Sequence, residues 1–70
     1  MVRCKFSCSF KRETEQGVDL SFAPVYTGSP ENEEFFKYTP GGNLSFYTVN
    51  KSAAAVFELG KEYYIDIKEA

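Results

Sequence analysis

The sequence predicts a small, mainly β protein that folds as a strongly bent antiparallel barrel with one or two short helical insertions. Four segments alternate between apolar and polar residues, a pattern typical of half-buried strands. Helix-start residues and chain breakers separate the second segment from the third, and the third from the fourth. We expect one domain, residues 1–70, because a chain of 70 residues is too short for two cores.

The first two strands are predicted to form a hairpin. Apolar residues occupy the even positions from Val2 to Phe10, and basic or hydroxyl residues occupy the odd positions. The polar run KRETEQG turns the chain, with Gly17 supplying a permissive backbone dihedral. Alternation then resumes over residues 18–23. We expect ion pairs across this hairpin, in which Glu13 or Asp19 faces Arg3 or Lys5.

The stretch SPENEEFFKYTPGG predicts a short helix over residues 30–38. Ser29 is a favourable N-cap, Pro30 suits the first helical position, and the glutamates that follow complement the helix dipole. Thr39-Pro40-Gly41-Gly42 ends the helix. So short a helix needs tertiary contacts, and we expect Phe35 to plug one end of the barrel.

The second half of the chain predicts two more strands around a second short helix. Residues 44–49 alternate, Asn50 caps a helix or turn over residues 51–56, and residues 62–68 alternate again. A helix between the third and fourth strands makes an OB-like barrel the expected fold, with an SH3-like barrel as the alternative. The side chains expected inside the barrel are Val2, Phe6, Phe10, Leu20, Phe22, Phe46, Tyr63, Ile65 and Ile67, with Phe57 beneath the second helix.

The two cysteines, Cys4 and Cys8, are predicted to be buried, reduced residues. They lie four residues apart in one strand, so their Cα atoms are about 13 Å apart, beyond the reach of a disulfide. Free thiols suit a reducing compartment, which favours the cytoplasm. The N-terminal segment MVRCKFSCSF has no apolar run long enough for a signal peptide, and no other segment is expected to span a membrane.

Three segments of the chain resemble a group of small proteins encoded by tailed bacteriophages. The segments are GSPENEEFFKYTPGG, TVN followed by an alanine run, and FELGKEYYIDI, and the resemblance covers roughly residues 24–67. Most members of that group have no assigned function. The resemblance implies a phage or prophage origin, and a location in the cytoplasm of the bacterial host or in the virion. It transfers no functional residue to this chain.

The composition argues against catalysis, metals and cofactors. The chain contains no histidine, so the commonest acid–base and nucleophilic arrangements are missing. Gly41-Gly42 opens a strand rather than a helix, which does not fit a phosphate-binding loop. The clustered glutamates of the first helix are explained by the helix dipole rather than by a metal. We therefore expect a non-enzymatic protein with no cofactor and no metal site.

Binding remains, and the sequence offers two surfaces for it. The net charge is −2, but the first twelve residues contain four basic residues and no acidic residue. Basic side chains beside exposed tyrosines on a curved sheet are typical of OB-like domains that bind single-stranded nucleic acid. The residues that would do so are Arg3, Lys5, Lys11, Tyr47 and Tyr64.

The second surface is the predicted first helix, and it favours a protein partner. Phe35 and Phe36 are about 100° apart around a helix, so burying one leaves the other near solvent. Exposed aromatic anchors with a polar rim are typical of protein interfaces. The interface candidates are Phe36, Tyr38, Glu33 and Glu34. We place this interpretation first: a protein-binding or assembly module whose partner is a phage or host protein or a second copy of the chain.

Overall fold

The computed structural model describes residues 2–38 and 41–70 and confirms a mainly β protein. The elements are β1 (Val2–Glu13), β2 (Val18–Pro24), α1 (Pro30–Tyr38), β3 (Leu44–Thr48), α2 (Lys51–Ala54) and β4 (Glu62–Ile67). The four antiparallel strands form one strongly curled sheet, a half-barrel in the order β3-β2-β1-β4. One short helix precedes β3 in the chain and the other follows it. Thr39 and Pro40, part of the predicted helix stop, lie outside the described residues.

The β1–β2 hairpin forms as predicted, but Gly17 acts differently from the expectation. Thr14 N donates to Gly17 O at 2.7 Å, and Gly17 N donates to Thr14 Oγ1 at 3.0 Å. Gly17 does not have a positive φ. Instead, a Cβ there would lie 2.4 Å from Thr48 O and 2.7 Å from the hydroxyl of Tyr47. Glycine is needed at this position because β3 passes so closely.

The prediction of ion pairs across the hairpin named the wrong partners. Asp19 lies opposite Arg12 rather than opposite Arg3 or Lys5, and its carboxylate is 3.4 Å from the Arg12 guanidinium. Both bases of the predicted pairs contact residues outside the hairpin instead. β1 is twelve residues long and pairs with β2 along its second half and with β4 along its first half.

A β-bulge in β1 overturns the prediction that Phe10 points inward. Cys8 lies opposite Phe22, but Phe10 lies opposite Ser21, so Ser9 is an extra residue in β1. One extra residue exchanges the two faces of a strand. Phe10 therefore turns outward and is 45% exposed. Lys11 takes the inward position, opposite the buried Leu20.

Lys11 consequently stabilises the inner side of the sheet where α2 covers it. Its ammonium donates to Ala54 O, at the C-terminal end of α2, at 3.1 Å and to Phe57 O, in the segment that follows α2, at 2.8 Å. The helix begins as predicted, because Asn50 Oδ1 accepts a hydrogen bond from Ala53 N at 3.0 Å. Ala54 is buried against the sheet. A cation at a helix C-terminus also meets the negative end of the helix dipole.

Four aromatic rings, with the buried Phe22 in the middle, bridge the two edges of the half-barrel. The ring of Phe22 lies 5.5–5.9 Å from those of Phe46, Phe57 and Tyr63. Phe57, which follows α2, also lies 6.0 Å from Phe46 on β3 and 5.2 Å from Tyr63 on β4. Side-chain packing thus joins edge strands that no backbone ladder connects.

The predicted core is confirmed in the middle of the sheet and is wrong at its margins. Phe6, Leu20 and Phe22 are buried, and Tyr63 and Ile65 are half-buried against them. Besides Phe10, three residues expected inside are exposed instead: Val2 (60%), Ile67 (59%) and Phe46 (38%). Val2 and Ile67 form the last pair of the β1–β4 ladder, beyond the reach of α2. Phe46 lies on the edge strand β3, where no further described strand covers its outer side.

Both cysteines are buried, and no disulfide joins them, as predicted from their spacing. Their side chains belong to the core cluster, together with Val18 and Ala54. Within residues 2–38 and 41–70, neither helix combines the length and the apolar character that crossing a bilayer requires.

Candidate protein-binding surface

Helix α1 begins at the positions that the sequence predicts. Ser29 Oγ accepts a hydrogen bond from Asn32 N at 3.1 Å, which is the N-cap interaction. Gly28, with φ of 108°, turns the chain into the helix. Glu31 and Glu33 lie in the first turn and Lys37 in the last, so both ends complement the helix dipole.

A buried asparagine attaches α1 to the sheet. Asn32 is 1% exposed, and it is the one buried residue among the nine of α1. Its Nδ2 donates to Thr27 O at 2.9 Å and to Glu62 Oε2 on β4 at 2.7 Å. Its Oδ1 has no hydrogen-bond partner among the described residues. Because burying an amide without partners is costly, these two bonds fix where α1 sits.

Lys5 joins the same contact from the outward face of β1. Its ammonium donates to Glu31 of α1 and lies 3.5 Å from Glu62 Oε1. Tyr64 OH also donates to Glu31, at 3.0 and 3.1 Å to the two carboxylate oxygens. The Lys5 side chain is only 11% exposed. A cluster of Lys5, Glu31, Asn32, Glu62 and Tyr64, which we call the polar latch, therefore holds α1 against the outside of the sheet.

The ionisation of the polar latch reflects these bonds. The hydrogen bond from Lys5 and the one from Tyr64 lower the pKa of Glu31 below its usual value. The hydrogen bond to Glu31 raises the pKa of the Lys5 ammonium and the pKa of the Tyr64 hydroxyl. All three groups are consequently held in the charge states that form the latch: an anion, a cation and a neutral phenol.

Arg3 extends the charged contacts along the same face. Its guanidinium donates to both carboxylate oxygens of Asp66, at 2.7 and 3.0 Å. This bidentate bond raises the pKa of Arg3 and lowers that of Asp66. The Arg3 guanidinium carbon also lies 5.1 Å from the centre of the Tyr64 ring. Both basic residues of this part of β1 are thus paired with acids.

The prediction that Phe35 plugs the barrel is wrong. Its ring lies 6.0 Å from that of Tyr64, whose side chain points outward from β4 beside Lys5. The end of the core is covered by α2 and Phe57 instead. Helix α1 therefore lies outside the half-barrel, and a polar cluster rather than a buried phenylalanine holds it there.

The other side of α1 forms a groove with the chain that follows β2. One part of the groove, of 360 Å³, is lined by Pro24, Tyr26, Phe36, Gly41 and Gly42. An adjoining part of 590 Å³ shares Tyr26 and Phe36. Tyr26 is 69% exposed and Phe36 is 39% exposed. We call this surface the aromatic groove. Its second part is completed by Pro30, Glu33, Glu34 and Lys37.

The structure brings three of the four predicted interface residues together. Phe36, Glu33 and Glu34 all line the aromatic groove. Tyr38 is 84% exposed and borders a smaller cavity of 300 Å³ with Glu34 and Phe35. The Lys37 ammonium lies 3.7 Å from Glu34, so the rim of the groove contains both signs of charge with acids in excess.

The predicted nucleic-acid residues do not form one surface. Arg3, Lys5 and Tyr64 lie together, but three carboxylates accompany them. Lys11 points inward and caps α2. Tyr47 lies two strands away, opposite Asp19.

Sequence reasoning did not assign three residues to this region: Tyr26, Asn32 and Glu62. Tyr26 follows a proline that ends β2, and no periodicity indicates which way its ring points. Asn32 stands in a helix start rich in polar residues, where an exposed amide is the usual expectation. Its one local signal is its place three residues after the N-cap serine.

Comparison with protein families, with curated proteins and with solved structures found no match.

Proposed function

We propose that the protein is a non-enzymatic protein-binding or assembly module, and that the aromatic groove is its binding surface. The observation that carries the proposal is the pairing of two exposed aromatic rings, Tyr26 and Phe36, across an open groove. Aromatic anchors of this kind supply much of the binding energy in protein interfaces. Because the polar latch holds α1 against the sheet, Phe36 is already in place before a partner binds. This lowers the entropy cost of binding.

The groove fits a partner segment of defined chemistry. Its floor accepts an apolar side chain between Tyr26 and Phe36, and Glu33 and Glu34 at its rim attract lysine or arginine. Pro24 and Pro30 add rigid apolar walls. A partner that presents an apolar residue flanked by basic residues is therefore the expected ligand.

The fold, the origin and the location complete the proposal. The half-barrel is an OB-like variant: α2 lies between the third and fourth strands, and β1 pairs with both β2 and β4, which favours this over the SH3-like alternative. The resemblance of residues 24–67 to small phage proteins supports a phage or prophage origin. A phage or host bacterial protein is then the partner, in the host cytoplasm or in the virion, and the buried thiols of Cys4 and Cys8 suit a reducing compartment.

Single-stranded nucleic acid is the weaker candidate. Arg3 and Lys5 beside the Tyr64 ring are the observation in its favour. Phosphate binding would require them to leave Asp66, Glu31 and Glu62. Fluorescence anisotropy with a labelled oligonucleotide at low salt tests it, since such binding would fall steeply as salt is added.

The test of the groove compares four immobilised proteins in capture from bacterial lysate: the wild type, Tyr26→Ala, Phe36→Ala and Leu59→Ala. Leu59 is also exposed but lies in the turn before β4. We expect the two groove variants to remain folded at the temperature of the assay, because both rings are partly exposed in the wild type. Their affinity for the partner recovered should fall at least tenfold, roughly the effect of removing an aromatic anchor. Equal capture by all four proteins would remove the groove as the binding surface.

A further inference from the structure

Strand β3 is an edge strand without the usual protection. It stands at one end of the sheet order, and no described segment pairs with its outer side. Natural edges normally carry charges, prolines or bulges that prevent pairing with another chain. The residues from Asn43 to Asn50 include no charged residue and no proline. Tyr47 and Val49 are exposed along this edge, and Phe46 is partly so.

The opposite edge of the sheet differs in this respect. Strand β4 carries Glu62 and Asp66, and Lys61 and Lys68 flank it. Charges at an edge are the normal device against strand addition. The contrast within one sheet indicates that β3 is the edge suited to pairing.

The amount of exposed surface also indicates a missing partner. The protein exposes 5101 Å², whereas a compact monomer of 7.9 kDa exposes about 4,400 Å². The excess of about 700 Å² approaches the roughly 800 Å² that each partner contributes to a standard interface. The radius of gyration is 12.9 Å, against about 11 Å for a compact chain of this length.

We propose that β3 pairs antiparallel with β3 of a second copy of the chain, about a two-fold axis at Phe46. This register overlaps all five residues of Leu44–Thr48. It places Phe46 against Phe46 of the partner subunit, and Ser45 opposite the partner's Tyr47. It keeps the two cores on the same side of one eight-stranded sheet, because residues opposite each other in a ladder share a face. No charges oppose each other across the strands.

Two double variants test the pairing and its register. In Ser45→Lys/Tyr47→Lys, each new lysine faces a lysine of the partner subunit. In Ser45→Glu/Tyr47→Lys, each faces the opposite charge. Both variants carry a lysine at position 47, opposite Asp19, and a charged residue at position 45, opposite Ser21. They also differ in the charge pair that positions 45 and 47 form on one face of their own strand, so urea titration of both variants serves as the control for folding stability.

Light scattering coupled to gel filtration gives the mass of each protein over a range of concentrations. We expect twice 7.9 kDa for the wild type and for Ser45→Glu/Tyr47→Lys. We expect a dissociation constant at least about tenfold higher for Ser45→Lys/Tyr47→Lys, because two like-charge pairs replace two contacts. Ile67→Lys, a matched change on the β4 edge, should remain a dimer. Circular dichroism confirms that each variant is folded.

Three results would overturn the proposal. If the wild type is a monomer, β3 does not pair with a second copy of the chain. If Ser45→Lys/Tyr47→Lys remains a dimer, the interface lies elsewhere. If, in addition, Phe36→Ala is a monomer, the interface is the aromatic groove. Dissociation of both double variants while they remain folded would refute the register at Phe46.

Discussion

The bulge in β1 makes a quantitative prediction, because it gives two phenylalanines of the hairpin opposite roles. Phe22 is 3% exposed and touches three other aromatic rings. Phe10 was expected inside by simple alternation, but Ser9 turns it outward. Phe22→Ala and Phe10→Ala are the same chemical change, so the difference between them measures position alone.

The free energies of unfolding should differ by at least about 2 kcal/mol. Fully burying a phenylalanine contributes about 1.5–3 kcal/mol, and the cavity left by its removal brings the cost of Phe22→Ala to about 3–5 kcal/mol. Phe10 buries about half of its surface, and water fills the space when its ring is removed. Its substitution should therefore cost about 1 kcal/mol. A domain of this size has only about 3–5 kcal/mol of net stability, so Phe22→Ala should be largely unfolded.

Urea titration followed by far-ultraviolet circular dichroism compares the two variants with the wild type. We expect Phe10→Ala to unfold in one transition close to that of the wild type, and Phe22→Ala to show little native signal without urea. If Phe10→Ala proves as damaging as Phe22→Ala, alternation continues unbroken through β1. The bulge and the inward position of Lys11 would then be refuted together.

Two further predictions concern a close contact and the polar latch. Gly17→Ala should lower stability by about 1–3 kcal/mol in the same urea assay, because its Cβ would lie 2.4 Å from Thr48 O; an unchanged transition would contradict this approach. Since the pKa of Glu31 is lowered, the latch stabilises the protein above the ordinary pKa of 4.5 and loses this effect as pH falls through the lowered value. The melting temperature of the wild type should therefore exceed that of Glu31→Gln at neutral pH and converge with it in acid, and a difference independent of pH would speak against the latch.

Local patterns were enough to predict where the elements lie. Alternation identified all four strands, and Ser29 and Asn50 identified the starts of both helices, because capping depends on residues close in sequence. The pairing of β1 with β2 followed from their adjacency in the chain. The buried middle of the core, including Leu20 and Phe22, followed from the same alternation.

Features that depend on distant residues could not be predicted in this way. The bulge at Ser9 leaves the alternation of β1 intact in sequence and exchanges its faces only when β2 is present. The side of the sheet on which α1 lies depends on Glu62, thirty residues from Asn32. The exposure of Phe46 follows from the position of β3 at an edge of the sheet. The alternation of apolar and polar residues does not predict the order of the strands.

The two binding hypotheses are coupled through one side chain, and this decides which variants can separate them. Lys5 was assigned to nucleic acid, yet its ammonium holds α1, and α1 presents Phe36. Lys5→Glu would place a third carboxylate beside Glu31 and Glu62, so the helix would be repelled. Loss of nucleic-acid binding and loss of protein binding would then both follow from one structural change. Only residues outside the latch discriminate: Phe36→Ala leaves Lys5 and its partners in place, so a loss of binding in that variant is a loss at the aromatic groove.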